Sequence, residues 1–216
     1  MISVKRGEAV GMLLLMVLTA GTVSGQEEKP AMVVQMGHTS GVRALAFSSC
    51  GKYLLSGAND TIKLWDINTG KELRTFSGHT SSIKSLAFSP DGSAVMSLSL
   101  SNTIIIRDLT NGEKLRTLLG PAHPVLTAAF SPDGKKAVSG GFDGTIKLWS
   151  LDNCEELRSF TKHSGAINYI TFSDNGKYVI SGSYDKTLKF WDINTGRLLR
   201  SRPWDYVRIT SLDFTY

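Results

Sequence analysis

The feature that most constrains this chain is a repeat. Five segments align, VRALAF (42–47), IKSLAF (83–88), VLTAAF (125–130), INYITF (167–172) and ITSLDF (209–214), at spacings of 41, 42, 42 and 42 residues. Self-similarity of this period means that one supersecondary unit is copied along the chain, and that each copy buries its apolar faces against its neighbours.

The interior of the unit is equally regular. After each of the first four segments comes a turn (SSCG, SPDG, SPDG, SDNG) and then a second strand (KYLLSGA, SAVMSLS, KKAVSGG, KYVISGS). A third strand follows as TIKLWDI, TIIIRDL, TIKLWSL and TLKFWDI. The turns NTGK, TNGE, DNCE and NTGR then lead to ELRTFSG, KLRTLLG, ELRSFTK and LLRS. The residue missing from the first spacing falls between Ser56 and Thr61, in the turn before the third strand. Four short strands in about 42 residues, apolar on both faces, are the signature of a β-propeller blade. The composition agrees: 21 Gly, 6 Pro and 41% hydrophobic residues fit many short strands joined by tight turns. No stretch has the pattern of a long amphipathic helix.

The units resemble the WD40 repeat family through Gly37-His38 and Trp65-Asp66, Gly78-His79 and Arg107-Asp108, Pro121 and Trp149-Ser150, and His163 and Trp191-Asp192. The resemblance covers residues 37 to 214. It implies an all-β propeller of four four-stranded blades (37–77, 78–119, 120–161, 162–202) plus a partial blade (203–216), with the ring incomplete in this chain. The segment 31–37 has the look of an N-terminal outer strand, and residues 209–214 supply an innermost strand. The two middle strands of a closing blade are absent, so the expectation is a truncated chain. A composite ring formed by several copies, or a longer protein carrying a separate C-terminal domain, are the other readings.

The resemblance also implies a hydrogen-bond network inside each blade, in which His donates to Asp and accepts from Ser or Thr, which in turn engages the Trp N–H. The matching positions are His38, Ser56, Asp60 (or Asn59) and Trp65; His79 and Ser97; Ser139, Asp143 and Trp149; and His163, Ser181, Asp185 and Trp191. The second unit has Ser101 at the Asp position and Arg107 at the Trp position, and the third has Pro121 at the His position, so those two networks are incomplete and their blades are expected to be less rigid. A His, a Ser and an Asp in one unit invite comparison with a catalytic triad. Their recurrence at one offset beside a Trp argues for structure instead, because an enzyme needs a single constellation in one cleft. No catalytic residue, metal site or cofactor is expected, and His123 stands apart from any ligand cluster.

Function is therefore expected in the loops, held rigidly at the ends of the blades. The resemblance points to the end that carries the His and Asp loops. The candidate partner-binding residues there are Arg43, Lys84 and Asn168, near the starts of the innermost strands, with Leu100, Phe142 and Tyr184 just before the Asp-position turn. Aromatic side chains among Arg and Lys are what protein hot spots use; the competing reading is that Phe142 and Tyr184 only shield the turn. The expected function is a non-catalytic scaffold for a protein or peptide, with a sensor portion of a longer enzyme as the alternative.

At the N-terminus, Lys5 and Arg6 precede an uncharged stretch from Ala9 to Gln26 with small residues near Gly25, the layout of a secretory signal peptide over residues 1–25. An anchor formed by residues 9–26 is the competing reading, since a bilayer takes roughly 20 apolar residues. Cleavage would remove Lys5, Arg6 and Glu8, leaving 22 basic and 18 acidic side chains, a net +4. That is too mild a charge to argue for nucleic acid.

Cys50 and Cys154 fall in turns of one rim with a blade between them, too far apart for a disulfide, and both are expected as exposed thiols. Cys154 stands where the other units have Gly70, Gly112 and Gly196, a turn position that favours positive φ.

Overall fold

The computed structural model describes residues 37–119 and 123–203. The signal segment, the strand proposed at 31–37, Pro121 and the innermost strand 209–214 lie outside the described residues, apart from Gly37.

Among the described residues, sixteen strands form four antiparallel sheets, each with its strands side by side in sequence order. Blade 1 holds β1 (Ala44–Phe47), β2 (Tyr53–Ala58), β3 (Thr61–Asp66) and β4 (Glu72–Phe76). Blade 2 holds β5 (Ile83–Phe88), β6 (Ala94–Ser99), β7 (Thr103–Asp108) and β8 (Lys114–Leu119). Blade 3 holds β9 (Val125–Phe130), β10 (Lys136–Gly141), β11 (Ile146–Ser150) and β12 (Glu156–Phe160). Blade 4 holds β13 (Ile167–Phe172), β14 (Tyr178–Ser183), β15 (Thr187–Asp192) and β16 (Leu198–Pro203).

The innermost strands pack in succession, β1 on β5, β5 on β9 and β9 on β13, so the blades form an open arc. The second strands are buried along nearly their whole length, as expected of strands covered on both faces. Among the described residues no blade precedes blade 1, and Leu45 and Phe47 of β1 are more than half exposed, whereas the equivalents of Leu45, namely Leu86, Ala128 and Ile170, are buried.

The blades fit by exchange of volume. At each interface the first apolar residue of an innermost strand presses on the second strand of the preceding blade. A Cβ added to Gly57 would lie 2.5 Å from Ile83, and one added to Gly140 would lie 2.6 Å from Ile167. Where Leu98 stands in place of that glycine, its counterpart is the smaller Val125, and both are fully buried. Large-on-small and small-on-large pairs conserve volume, which keeps the interior at native packing density.

A second contact joins the blades at the rim formed by the turns between first and second strands and between third and fourth strands. Arg74 of β4 donates to the carbonyls of Thr110 (2.5 Å) and Asn111 (3.0 Å) in the β7–β8 turn. Arg158 of β12 donates in the same way to Asn194 (2.8 Å) and Thr195 (3.4 Å). Each clamp passes over a glycine at positive φ, Gly112 at 81° and Gly196 at 74°. A Cβ on those residues would fall 3.3 Å and 2.8 Å from the arginine Cδ.

Blade 3 breaks this pattern. Cys154 occupies the glycine position with φ at 62°, and Arg116 donates instead to the carbonyls of Leu151 and Leu115. The Cβ of Cys154 stands where the arginine stem would otherwise run. Cys154 is not the fully exposed thiol expected from its turn. It is half-buried and packs against the apolar cluster shared by blades 2 and 3, whereas Cys50 is exposed.

Candidate functional site

Trp191 fixes the direction of the hydrogen bonds in blade 4, because an indole N–H can only donate. Trp191 Nε1 donates to Ser181 Oγ at 2.8 Å, and Ser181 Oγ then gives its own proton to His163 Nε2 at 2.7 Å. His163 is left with its proton on Nδ1, which donates to Asp185 Oδ2 at 2.8 Å. The Asp185 carboxylate also accepts from the Ser164 N–H (3.1 Å), the Thr187 N–H (3.0 Å) and Thr187 Oγ1 (2.6 Å). Burial works against the ionised carboxylate, but the hydrogen bonds from Thr187, His163 and Ser164 outweigh it and hold its pKa at about 2. Burial likewise lowers the pKa of His163, against the pull of Asp185, so the imidazole is kept neutral. The chain Trp–Ser–His–Asp is satisfied from end to end within the blade.

In blade 1, Trp65 Nε1 donates to Ser56 Oγ and Ser56 Oγ to His38 Nε2, both at 2.7 Å. Asp60, assigned to this network by its sequence position, does not join it. His38 Nδ1 meets Thr61 Oγ1 at 3.3 Å, and Asp60 is exposed. The missing residue accounts for the change. Pairing of β2 with β3 runs as far as Ala58 with Thr61, leaving a two-residue turn that points Asp60 outward. In blade 4 the pairing ends at Gly182 with Leu188, and the longer turn returns Asp185 to the histidine.

Blade 2 has no indole, and its hydrogen bonds run the other way. Ser97 Oγ donates to the Ile105 carbonyl at 3.2 Å and accepts from His79 Nε2 at 2.8 Å, while Thr103 Oγ1 lies 3.2 Å from Nδ1. Ser101, at the Asp position, bonds Ser99 (2.6 Å) and Thr103 (3.1 Å) and not the histidine. Arg107 reaches across to the Ser77 carbonyl, leaving its buried Nε without a partner. Burial and the Arg107 charge push the His79 pKa down to about 4. In blade 3, Trp149 Nε1 donates to Ser139 Oγ at 2.9 Å. Asp143 is exposed and caps its own turn by accepting from the Thr145 N–H at 2.9 Å.

The His and Ser side chains of blades 2 and 4, and Asp185 and Trp191 of blade 4, are all engaged in hydrogen bonds within their own blades. Beside these networks, at the same end of the blades, lie the candidate surface residues. Leu100, Phe142 and Tyr184 occupy one position on three successive blades. Their backbone N–H groups donate to the carbonyls of Ser82, Pro124 and Ala166, at 3.0, 2.8 and 2.9 Å, which tie each turn to the start of its innermost strand. Their side chains are 39%, 60% and 43% exposed. Arg43 is exposed at the same end, and Lys84 and Asn168 are half-buried. Sequence reasoning did not find the Arg74 and Arg158 clamps, although the arginine recurs in every fourth strand; the signal was the residue spacing, read only as strand.

Four-stranded blades in an arc, each with a His–Ser pair or a Trp–Ser pair at one end, define a WD-type β-propeller. More narrowly, the chain belongs to the IFT122 first beta-propeller family, whose profile matches residues 29–216. No curated protein matches the chain. Propellers of this type are protein-interaction scaffolds and are generally non-catalytic.

Proposed function

We propose that the His-bearing end of the arc is the docking face for a peptide segment of a protein partner, with Phe142 and Tyr184 as its aromatic anchors. One observation carries this reading: three bulky side chains at one repeat position stay exposed while their backbones are pinned by hydrogen bonds. Rigid, exposed aromatic groups bind with little loss of conformational entropy. Arg43 and Lys84 at the same end favour a segment that places a carboxylate beside its apolar anchor.

The test introduces a photo-crosslinking amino acid at position 142 or 184, and at Leu73 on an outer strand as the control. Partner adducts from 142 and 184 but not from 73 are expected. Equal labelling from all three would remove the face from consideration. Phe142→Ala and Tyr184→Ala should leave the unfolding midpoint unchanged; a fall in stability would mean that these rings shield the turn.

A further inference from the structure

Between blades 2 and 3, at the rim opposite the His-bearing end, lies a groove of about 560 Å³. Its floor is apolar, formed by Ala94, Ile106, Leu115, Phe130 and Leu151. The groove between blades 3 and 4 measures about 330 Å³ and contains Lys136.

Two departures from the repeat mark the larger groove. Ala94 pairs with Asp108 as Tyr53 pairs with Asp66, Lys136 with Ser150 and Tyr178 with Asp192, so it is the small member of a position otherwise held by long side chains. In blade 1 the Tyr53 ring instead packs on the apolar cluster shared by blades 1 and 2. The second departure is Cys154, which holds Arg116 out of the clamp that Arg74 and Arg158 make. Missing bulk at Ala94 on the blade 2 wall, facing Phe130 and Leu151 of blade 3, leaves an apolar trough of a size that takes ligands, with Arg116 lying along its edge on the Leu151 carbonyl.

Its rim is acidic. Asp91, Asp133 and Asp152 line it, against Lys135 and an Arg116 already spent on backbone carbonyls. Asp91 and Asp133 stay ionised because the turn hydroxyls of Ser89 and Ser131, and the backbone N–H groups that follow, donate to them. Asp133 Oδ2 is not used by those bonds.

We infer that this groove is a second peptide-binding site, selective for an extended segment with a bulky apolar residue flanked by basic ones. The apolar side chain occupies the space that Ala94 leaves open, and the flanking cations meet Asp91 and Asp133.

The test uses two labelled peptides, KLFLK and ELFLE, and the full chain in fluorescence anisotropy. KLFLK should bind at least tenfold more tightly than ELFLE, and its binding should weaken as salt is raised, since rim charges are screened. Ala94→Tyr copies the side chain found in blades 1 and 4 and should weaken KLFLK at least tenfold. The pair Asp91→Asn with Asp133→Asn removes charge and keeps the turn, because Asn175 caps the same turn in blade 4 by accepting from Ser173 Oγ and the Lys177 N–H. That variant should weaken KLFLK by roughly two- to tenfold, the range of one or two rim ion pairs. Equal binding of the two peptides, no binding of KLFLK, or unchanged binding by Ala94→Tyr would overturn the inference. Weakening by Phe142→Ala and Tyr184→Ala but not by Ala94→Tyr would place the peptide at the other rim and likewise overturn it.

Discussion

Replacing Cys154 with glycine should stabilise the protein, although it deletes a side chain that packs on the core. Cys154 holds φ at 62°, a conformation that costs a residue with a Cβ about 1 to 2 kcal/mol. Glycine removes that strain. It forfeits the contact of a half-buried thiol with the apolar cluster of blades 2 and 3, worth roughly 0.5 to 1 kcal/mol. It also opens the path along which Arg116 can reach the carbonyls of Asp152 and Asn153, as Arg158 reaches those of Asn194 and Thr195. These bonds replace the ones Arg116 now makes to Leu151 and Leu115, so the exchange adds at most about 0.5 kcal/mol.

The balance is a gain of about 1 kcal/mol, read as a rise of roughly 2 to 4 °C in the thermal midpoint for a chain of this size. Urea unfolding of the wild type, Cys154→Gly, Arg116→Ala and the double variant forms a cycle. The clamp predicts that Arg116→Ala costs more in the glycine background than in the wild type. A Cys154→Gly protein less stable than the wild type, or an Arg116→Ala cost that is the same in both backgrounds, would refute the reasoning.

Three further outcomes follow from the same geometry. Ser181→Ala strands both the Trp191 N–H and His163 Nε2 and should destabilise by about 3 kcal/mol, whereas Ser97→Ala strands only His79 and should cost about half as much; equal costs in urea would contradict the two network polarities. Gly140→Ala drives a Cβ to 2.6 Å from Ile167 Cγ2 and 2.9 Å from its Cβ and should cost about 1 to 3 kcal/mol; an unchanged urea midpoint would sink the account of close packing at this seam. Acid should act in two windows. The His79 pKa is depressed from 6.5 to about 4, so below pH 6.5 the unfolded chain takes up a proton that the native one refuses, and stability falls until about pH 4. The Asp185 pKa is depressed from 3.8 to about 2, and its contribution is lost as pH falls from about 4 to about 2. Each window amounts to roughly 1 to 2 kcal/mol once solvent screening is allowed for, and His79→Gln should reduce the first slope, to which His38 and His163 also contribute because burial lowers them too, while leaving the second.

The blades were legible in the sequence because a 42-residue period with four apolar runs admits few other folds. The network of blade 4 was legible for the same reason, since His163, Ser181, Asp185 and Trp191 all sit at repeat positions. Asp60 was not, because its fate depends on how far two strands pair before the turn, and one deleted residue lets them pair through Thr61. Reversal of the hydrogen bonds in blade 2 follows from the absence of one N–H, a consequence that appears only when each donor is counted. The groove between blades 2 and 3 needs Ala94 to be set across the seam from Phe130 and Leu151, a juxtaposition that no single repeat position announces.

The arginine clamps all point forward along the chain, from the fourth strand of one unit to the third-to-fourth-strand turn of the next. The seam between blades 2 and 3 is of another kind, with Leu98 on Val125 and Cys154 where the clamp needs glycine, so two units rejoin without altering a joint only where their seam residues match. Loss of one 42-residue period, residues 78–119, would set Gly57 against Val125 and Arg74 against Cys154, a seam of neither kind. Loss of two periods, residues 78–161, would bring Gly57 to Ile167 and Arg74 to the Gly196 turn and rebuild the joint found between blades 1 and 2. Units of this arc are therefore interchangeable in pairs and not singly.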